Sequence, residues 1–298
     1  MIFPPRDLVG YGPTPPKVSW PNNARVAVSF VLNFEEGSEY SVADGDNRNE
    51  GVYEVIDKLD GIPDPCIQSH FDYGTRVGWW RIMDLLERHG VTCTVSSCGR
   101  AVERYPELAQ DAIKRGHEVS GHGWRWESHA RMTPEEERAS IEQTVKAIER
   151  VTGVRPVGWH TRSATTIHTR KLLIEEGGFL YDSDDYSDDL PRLVQHNDKT
   201  HVILPYAFDT NDMQFQHTHR FVRAQDFSGY VNDAFDWLWT EGATHPKMMS
   251  VGLHLRMLAR PARMWALLHM IEHMKEKGQV WFARRDQIAK HWLQNHAK

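Results

Sequence analysis

Two hydrophobic patterns alternate along the chain: short unbroken apolar runs, and longer stretches in which apolar positions recur every three or four residues. The first pattern reads as strands buried on both faces, the second as amphipathic helices. The β-branched run Arg25–Leu32 (RVAVSFVL) predicts the first strand. A helix follows from about Gly78 to His89, with Trp79, Ile82, Met83, Leu85 and Leu86 on one face and Gly90 as its stop. Strand Val91–Ser96, helix Pro106–Arg115 and strand Glu118–Gly121 come next. Thr133-Pro134-Glu135-Glu136 then reads as a helix start, with Thr as N-cap, Pro at the first position and Glu at the third, and that helix runs to about Thr152. The rest alternates: a strand near Val157–Trp159, helix Thr169–Glu176, strands Phe179–Asp182 and Val202–Leu204, helix Phe227–Thr240, strand Met249–Leu253, helix Pro261–Lys277 and strand Val280–Phe282. Repeated strand–helix units imply the α/β class with a parallel sheet, and their even spacing favours a barrel over an open sheet.

Two segments break the pattern. Pro4, Pro5, Pro13, Pro15, Pro16 and Pro21 exclude helix or central strand, so residues 1–24 are expected to form an extended arm. From Asn33 to about Asp72 the chain is rich in Gly, Asp, Asn and Pro and is too long for a plain connection, which predicts a functional loop layer. The 298 residues fit a single domain, 1–298. A net charge of −6 without a Lys/Arg run argues against nucleic acid or an anionic membrane as partner. No apolar stretch is long enough to span a bilayer, and the start lacks a signal-peptide pattern. Cys66, Cys93 and Cys98 are odd in number and lack framework spacing, as reduced thiols do, so a cytoplasmic protein is expected.

In such folds chemistry gathers after the carboxyl ends of strands. Asn33-Phe34-Glu35-Glu36-Gly37 follows the first strand, and adjacent carboxylates there are hard to read as a solvated face. Glu36 is the one expected in the barrel mouth, because Gly37 frees the turn after it; a surface acidic cluster is the plainer alternative. His122 lies between two glycines at the end of Glu118–Gly121, followed by Trp124, Trp126 and His129. His122 and His129 would share a face only on a helix, which Gly123 discourages. His160, Thr161, Arg162 and Ser163 follow another strand, and His254 another. Arg256, Arg260 and Arg263 sit at helical spacing, and a structural anchor or subunit contact is the safer reading for two of them. The acidic runs Asp182–Asp189 and Asp209–Asp212 read equally as ligand loops or as capping loops. No nucleophile elbow, phosphate loop, dinucleotide fingerprint or H-E-x-x-H occurs, so Glu and His around a mouth suggest acid–base hydrolysis by water.

These strand-end residues resemble the motifs of the polysaccharide deacetylase (NodB-homology) superfamily. Most members carry an Asp metal ligand after strand one, two His four residues apart, and a late His. Here the positions read Asn33-Phe34-Glu35-Glu36, His122-Gly123-Trp124-Arg125-Trp126 and His254, so the metal Asp is replaced by Glu36 and the second metal His by Trp126. The altered pattern is similar to the cofactor-independent allantoinase and cyclic imide hydrolase subgroup. Further matches are Tyr73-Gly74-Thr75-Arg76, Asp209-Thr210-Asn211-Asp212 and Gly252-Leu253-His254-Leu255-Arg256. The resemblance implies a distorted (β/α) barrel of about seven strands, a cytoplasmic homo-oligomer, often a tetramer, and hydrolysis of an amide bond in a small ring. His160-Thr161-Arg162-Ser163 and the histidines His217 and His219 depart from the allantoinase pattern, which leaves an imide open as substrate beside an allantoin-like ureide.

The expected mechanism has Glu36, or Glu35 or a histidine beside it, activating water, and His254 or His122 protonating the leaving nitrogen; free histidine titrates at about 6.5 and can serve either role. Arg162 or Asn33 would stabilise the oxyanion. Trp124 and Trp126 would wall a flat ring, unless they are plain packing aromatics, and His160 and Asp212 would complete the substrate contacts. No cofactor is expected, and a zinc version would draw on Glu36, His122 and His129. The rival readings are a metal-dependent N-deacetylase of a polysaccharide or small acetylated amine, and a non-catalytic barrel that binds a small molecule.

Overall fold

The computed structural model describes residues 6–51, 59, 61–162, 164–216 and 220–297; Pro4, Pro5, Ser163, His217 and His219 lie outside them. The first strand, β1, spans Val26–Phe34, and every one of its residues is buried, as its unbroken apolar run requires. The expected loop layer ends earlier than its composition suggested. Helix α1 (Pro65–Tyr73) starts where the Asp64 side chain accepts the backbone N–H groups of Cys66 and Ile67. A wider turn over Gly74–Gly78 carries it into α2 (Trp79–Arg88), whose buried face is the predicted one. After β2 (Thr94–Ser97) come α3 (Gly99–Arg104), α4 (Pro106–Lys114), β3 (Glu118–Gly121) and α5 (Pro134–Thr152). In α5 the Thr133–Glu136 capping box forms as read from the sequence.

Then follow β4 (Gly158–Trp159), α6 (Thr169–Glu176), β5 (Tyr181–Asp182), and β6 (Arg192–His196) with β7 (Lys199–Ile203). The last two pair antiparallel about Asn197-Asp198, where Asn197 takes a positive φ of 52°. The remaining elements are α7 (Ala224–Glu241), β8 (Lys247–His254), α8 (Leu255–Leu258), α9 (Pro261–Lys277), β9 (Val280–Phe282) and α10 (Arg285–His296). Among the described residues no helix is long and apolar enough to cross a membrane.

The strands form one sheet in the order β6-β7-β5-β4-β3-β2-β1-β8, with β9 beside the start of β1. All pairings except β6 with β7 are parallel, and the sheet curls into an α/β half-barrel ringed by helices. Register is what places the site. Asn33 lies opposite His254 and Ser96, Ser97 opposite Gly121, and Gly121 opposite Trp159. Glu35, His122, His160 and His254 therefore leave the sheet at one rim.

Deeper in the barrel, the N-terminus of α10 enters between the strands. The N–H groups of Arg285 and Asp286 donate to Thr94 Oγ1 and Glu118 Oε2. The buried Arg285 guanidinium donates to the hydroxyls of Ser183 and Ser250 and to the carbonyls of Leu204 and Pro205. It thereby ties β8 to the strand ends after β5 and β7, beside the backbone bonds that Met248 and Gly252 of β8 donate to the Asp189 and Thr210 carbonyls. Arg285→Ala should destabilise the protein by about 3 kcal/mol or more in denaturant titration, since it opens a cavity and strands these acceptors.

Candidate active site

A cavity of about 560 Å³ opens at the rim, within the usual size of small-molecule sites. Glu35, His122 and His254 lie at its centre, with Asn33, Trp126, His160 and Arg162 on its walls. Glu35, not Glu36, faces the cavity. Glu35 Oε1 lies 3.3 Å from His122 Nε2 and 3.5 Å from His254 Nε2, and Glu35 Oε2 accepts Arg256 Nη1 at 2.8 Å. Glu36 turns the other way. Its Oε1 accepts the backbone N–H and Nη1 of Arg256 at 3.2 and 3.3 Å. Gly74 lets it fit, because a Cβ there would stand 2.7 Å from Glu36 Oε1.

The two histidines are oriented from behind. His122 Nδ1 donates to the His160 carbonyl at 2.5 Å, which fixes the tautomer and leaves Nε2 toward Glu35. His254 Nδ1 donates to Asp212 Oδ1 at 2.6 Å, and the His254 backbone N–H donates to Asp212 Oδ2 at 2.8 Å. Burial works against a charged His254, but Glu35 and Asp212 outweigh it and raise the imidazole to about 9. Burial likewise works against an ionised Glu35, yet the His254 and Arg256 charges hold its carboxyl well below the ordinary range. Glu36 is pushed up, first by burial and then by Glu35, against the pull of Arg256. At neutral pH the site thus holds an anionic Glu35 against a cationic His254.

Arg256 belongs to the trio with Arg260 and Arg263, of which the sequence marks two as structural anchors or subunit contacts without saying which. It is fully buried, with its guanidinium 4.6 Å from the ring centres of both Phe71 and Trp126. Its Nε and Nη2 have no hydrogen-bond partner among the described residues. A signal was available: buried adjacent carboxylates need a cation, and Arg256 is the first one after the strand opposite β1. Tyr206 was also passed over. Its hydroxyl lines the cavity and accepts Asn33 Nδ2 at 3.4 Å and Asn211 Nδ2 at 3.5 Å.

Other expected residues line the cavity with their donors committed, or stand outside it. Asn33 Nδ2 is committed to the Leu253 carbonyl and to Tyr206. Arg162 stacks 3.4 Å over Trp126 and is held by Glu50 and the Trp126 carbonyl. Trp126 walls the cavity, whereas Trp124 packs on Gly99 away from it. Asp212 stands behind His254, outside the cavity lining. His129 is buried against Glu137, which also accepts the Thr166 and Thr169 hydroxyls, so it pins α5 and α6. The acidic run is spent on structure: Asp182 holds Arg170 and His201, Asp184 caps Thr161, and Asp185 pairs with Arg192.

The polysaccharide deacetylase family profile matches residues 61–176. A protein of Schizosaccharomyces pombe assigned to the polysaccharide deacetylases is 37% identical over 320 residues, covering 99% of each chain. The chain belongs to the polysaccharide deacetylase family, a family of hydrolases. A Pseudomonas aeruginosa PAO1 structure assigned to the same family is 43% identical, with a TM-score of 0.95 over 99% of both chains. The crystal structure of PuuE allantoinase is 42% identical, with a TM-score of 0.95 over 100% of both.

The metal that many polysaccharide deacetylases use does not fit the residues present. Among the described residues no three His, Cys, Asp or Glu side chains are grouped as metal ligands require. The candidate set Glu36, His122 and His129 is not assembled, because Glu36 is bound to Arg256 and His129 to Glu137. A fixed guanidinium stands against the carboxylates instead. The His254 pairing has a pH signature with a definite sign. A pKa raised from 6.5 to about 9 stabilises the fold fully below 6.5, and that contribution is lost as pH rises through 9. Asp212→Asn should remove part of this loss, which is on the order of 3 kcal/mol, and should shift the His254 NMR titration to lower pH.

Proposed function

We propose that this family member hydrolyses the C–N bond of a small cyclic amide, an allantoin-like ureide or a cyclic imide. The observation that carries the proposal is Glu35, ionised and held between the Nε2 atoms of two oriented imidazoles in a cavity of small-molecule size. The likeness to PuuE allantoinase over the full chain supports the same reading. Glu35 takes a proton from water as the water attacks the ring carbonyl. The His254 imidazolium then gives its Nε2 proton to the departing nitrogen, and Asp212 keeps that ring oriented. Tyr206 is the natural oxyanion donor. Burial raises its hydroxyl above the ordinary tyrosine value, so it stays protonated, and its contacts to Asn33 and Asn211 are ones it accepts, which leaves its own proton to give. Arg162 and Asn33 are bound elsewhere and serve as walls.

The test is a ring-opening assay on allantoin, succinimide, maleimide, hydantoin and dihydrouracil, each with and without chelator. Turnover of at least one ring that survives chelation is expected. Loss of that turnover on chelation, with recovery in zinc, overturns the metal-free mechanism, and no turnover on any ring overturns the substrate class. On the ring that reacts, Glu35→Gln should lower kcat by about 10³-fold or more and Tyr206→Phe by about 10²-fold, with KM little changed for either.

A further inference from the structure

The charges around the cavity do not follow those of the chain. The protein carries 41 acidic against 35 basic residues, yet Glu35 is the sole carboxylate among the described residues that line the cavity. Facing it are Arg48, Arg162 and the charged His254. Most of that positive charge is already matched. His254 is held by Asp212 and Glu35, and Arg162 by Glu50. Nearby arginines outside the lining are matched as well: Arg125 by Asp46, Arg100 and Arg104 by Asp44, and Arg256 by Glu35 and Glu36.

Arg48 is different. It forms no ion pair with the described residues, and its guanidinium lies 4.3 Å over the Tyr40 ring, which also lines the cavity. Tyr40 is itself steadied on its ring by Arg125, at 5.4 Å. A guanidinium over an aromatic ring, with no carboxylate beside it, still has N–H groups to give, and a guanidinium can bind a carboxylate through two parallel hydrogen bonds.

We propose that Arg48 is a specificity-determining residue that binds a carboxylate in this cavity, an inference that rests on the cyclic-amide reading. Two sources share that chemistry. Ring opening turns the attacked carbonyl carbon into a carboxylate as the C–N bond breaks and the nitrogen takes a proton, so the product is an anion even when the ring is neutral. A ring substituent can also carry the charge. Arg48 is exposed, so its pull on either is screened by salt.

The test uses the full-length Glu35→Gln protein, in which turnover is slowed enough for ligands to be titrated, with Arg48 intact or changed to Gln or Lys. Calorimetric titration compares succinamate with succinimide, and hydantoin-5-acetate with hydantoin. Arg48→Gln should reduce the preference for the carboxylate member of a pair about tenfold, and Arg48→Lys should reduce it less. The preference should also weaken with added salt only where residue 48 is cationic. A drop confined to the succinamate pair assigns the site to the product carboxylate, and a drop in the hydantoin pair to a substituent of the substrate. A preference that stays within twofold in both pairs overturns the proposal. The outcome is separate from the function itself: absence of ring turnover by the unmodified enzyme sinks the cyclic-amide reading, whereas an unchanged preference in a protein that opens rings sinks only the role of Arg48.

Discussion

Two glutamate carboxylates enter the interior side by side at the end of β1, and the arrangement holds because one guanidinium is buried with them. Without Arg256 the pair would face like-charge repulsion and desolvation together, and at least one proton would be taken up. With it, Glu35 keeps its negative charge and Glu36 becomes the backing that fixes the guanidinium. The aromatic faces of Phe71 and Trp126 enclose the remaining N–H groups and keep water from competing. Gly74, at the start of the wide turn over Gly74–Gly78, answers the same constraint, since a Cβ there would stand 2.7 Å from Glu36 Oε1. The charge on His254 depends on it too, because an ionised Glu35 is what that imidazole answers.

Positioning comes from the sheet. Parallel strands have matched ends, so residues far apart in sequence arrive at one height without long loops to carry them. The backbone of His160 orients His122, and the loop after β7 supplies Asp212 and Tyr206. Glu35, His122 and His254 are thus each held by a second group that belongs to another strand end. In this way an open half-barrel holds three side chains in one fixed geometry at its rim.

The strand and helix periods of the sequence were strong enough to place β1, α2 and α5 and to indicate a parallel sheet, and the strand ends pointed to His122, His254 and the Glu35–Glu36 pair. What escaped has physical reasons. Helix α1 was hidden because its start, Asp64-Pro65, lies in a stretch whose composition reads as loop. Helix α10 opens on Arg284-Arg285-Asp286, a charged trio that looks solvated and is instead partly barrel core. The direction in which Glu35 and Glu36 point is set by a residue more than two hundred positions away, so no local pattern carries it. His129 was drawn toward the site by its nearness to His122 in sequence, while its true partner, Glu137, lies on the following helix.

The pairing of β1 also shapes how the molecule is made. Val26 lies beside Lys247 on one side and Val280 on the other, so a nine-residue strand buried at every position leaves the ribosome long before either neighbour exists. Until then only β2 is available, and it covers no more than the far end, Val31–Phe34. The near half of β1 must be sheltered through most of synthesis, by collapse onto local helices or by chaperones, and the rim cannot take its final form before the last elements arrive. A chain cut short before β8 would carry Glu35 and His122 but lack both His254 and the cation that lets the carboxylates share one site.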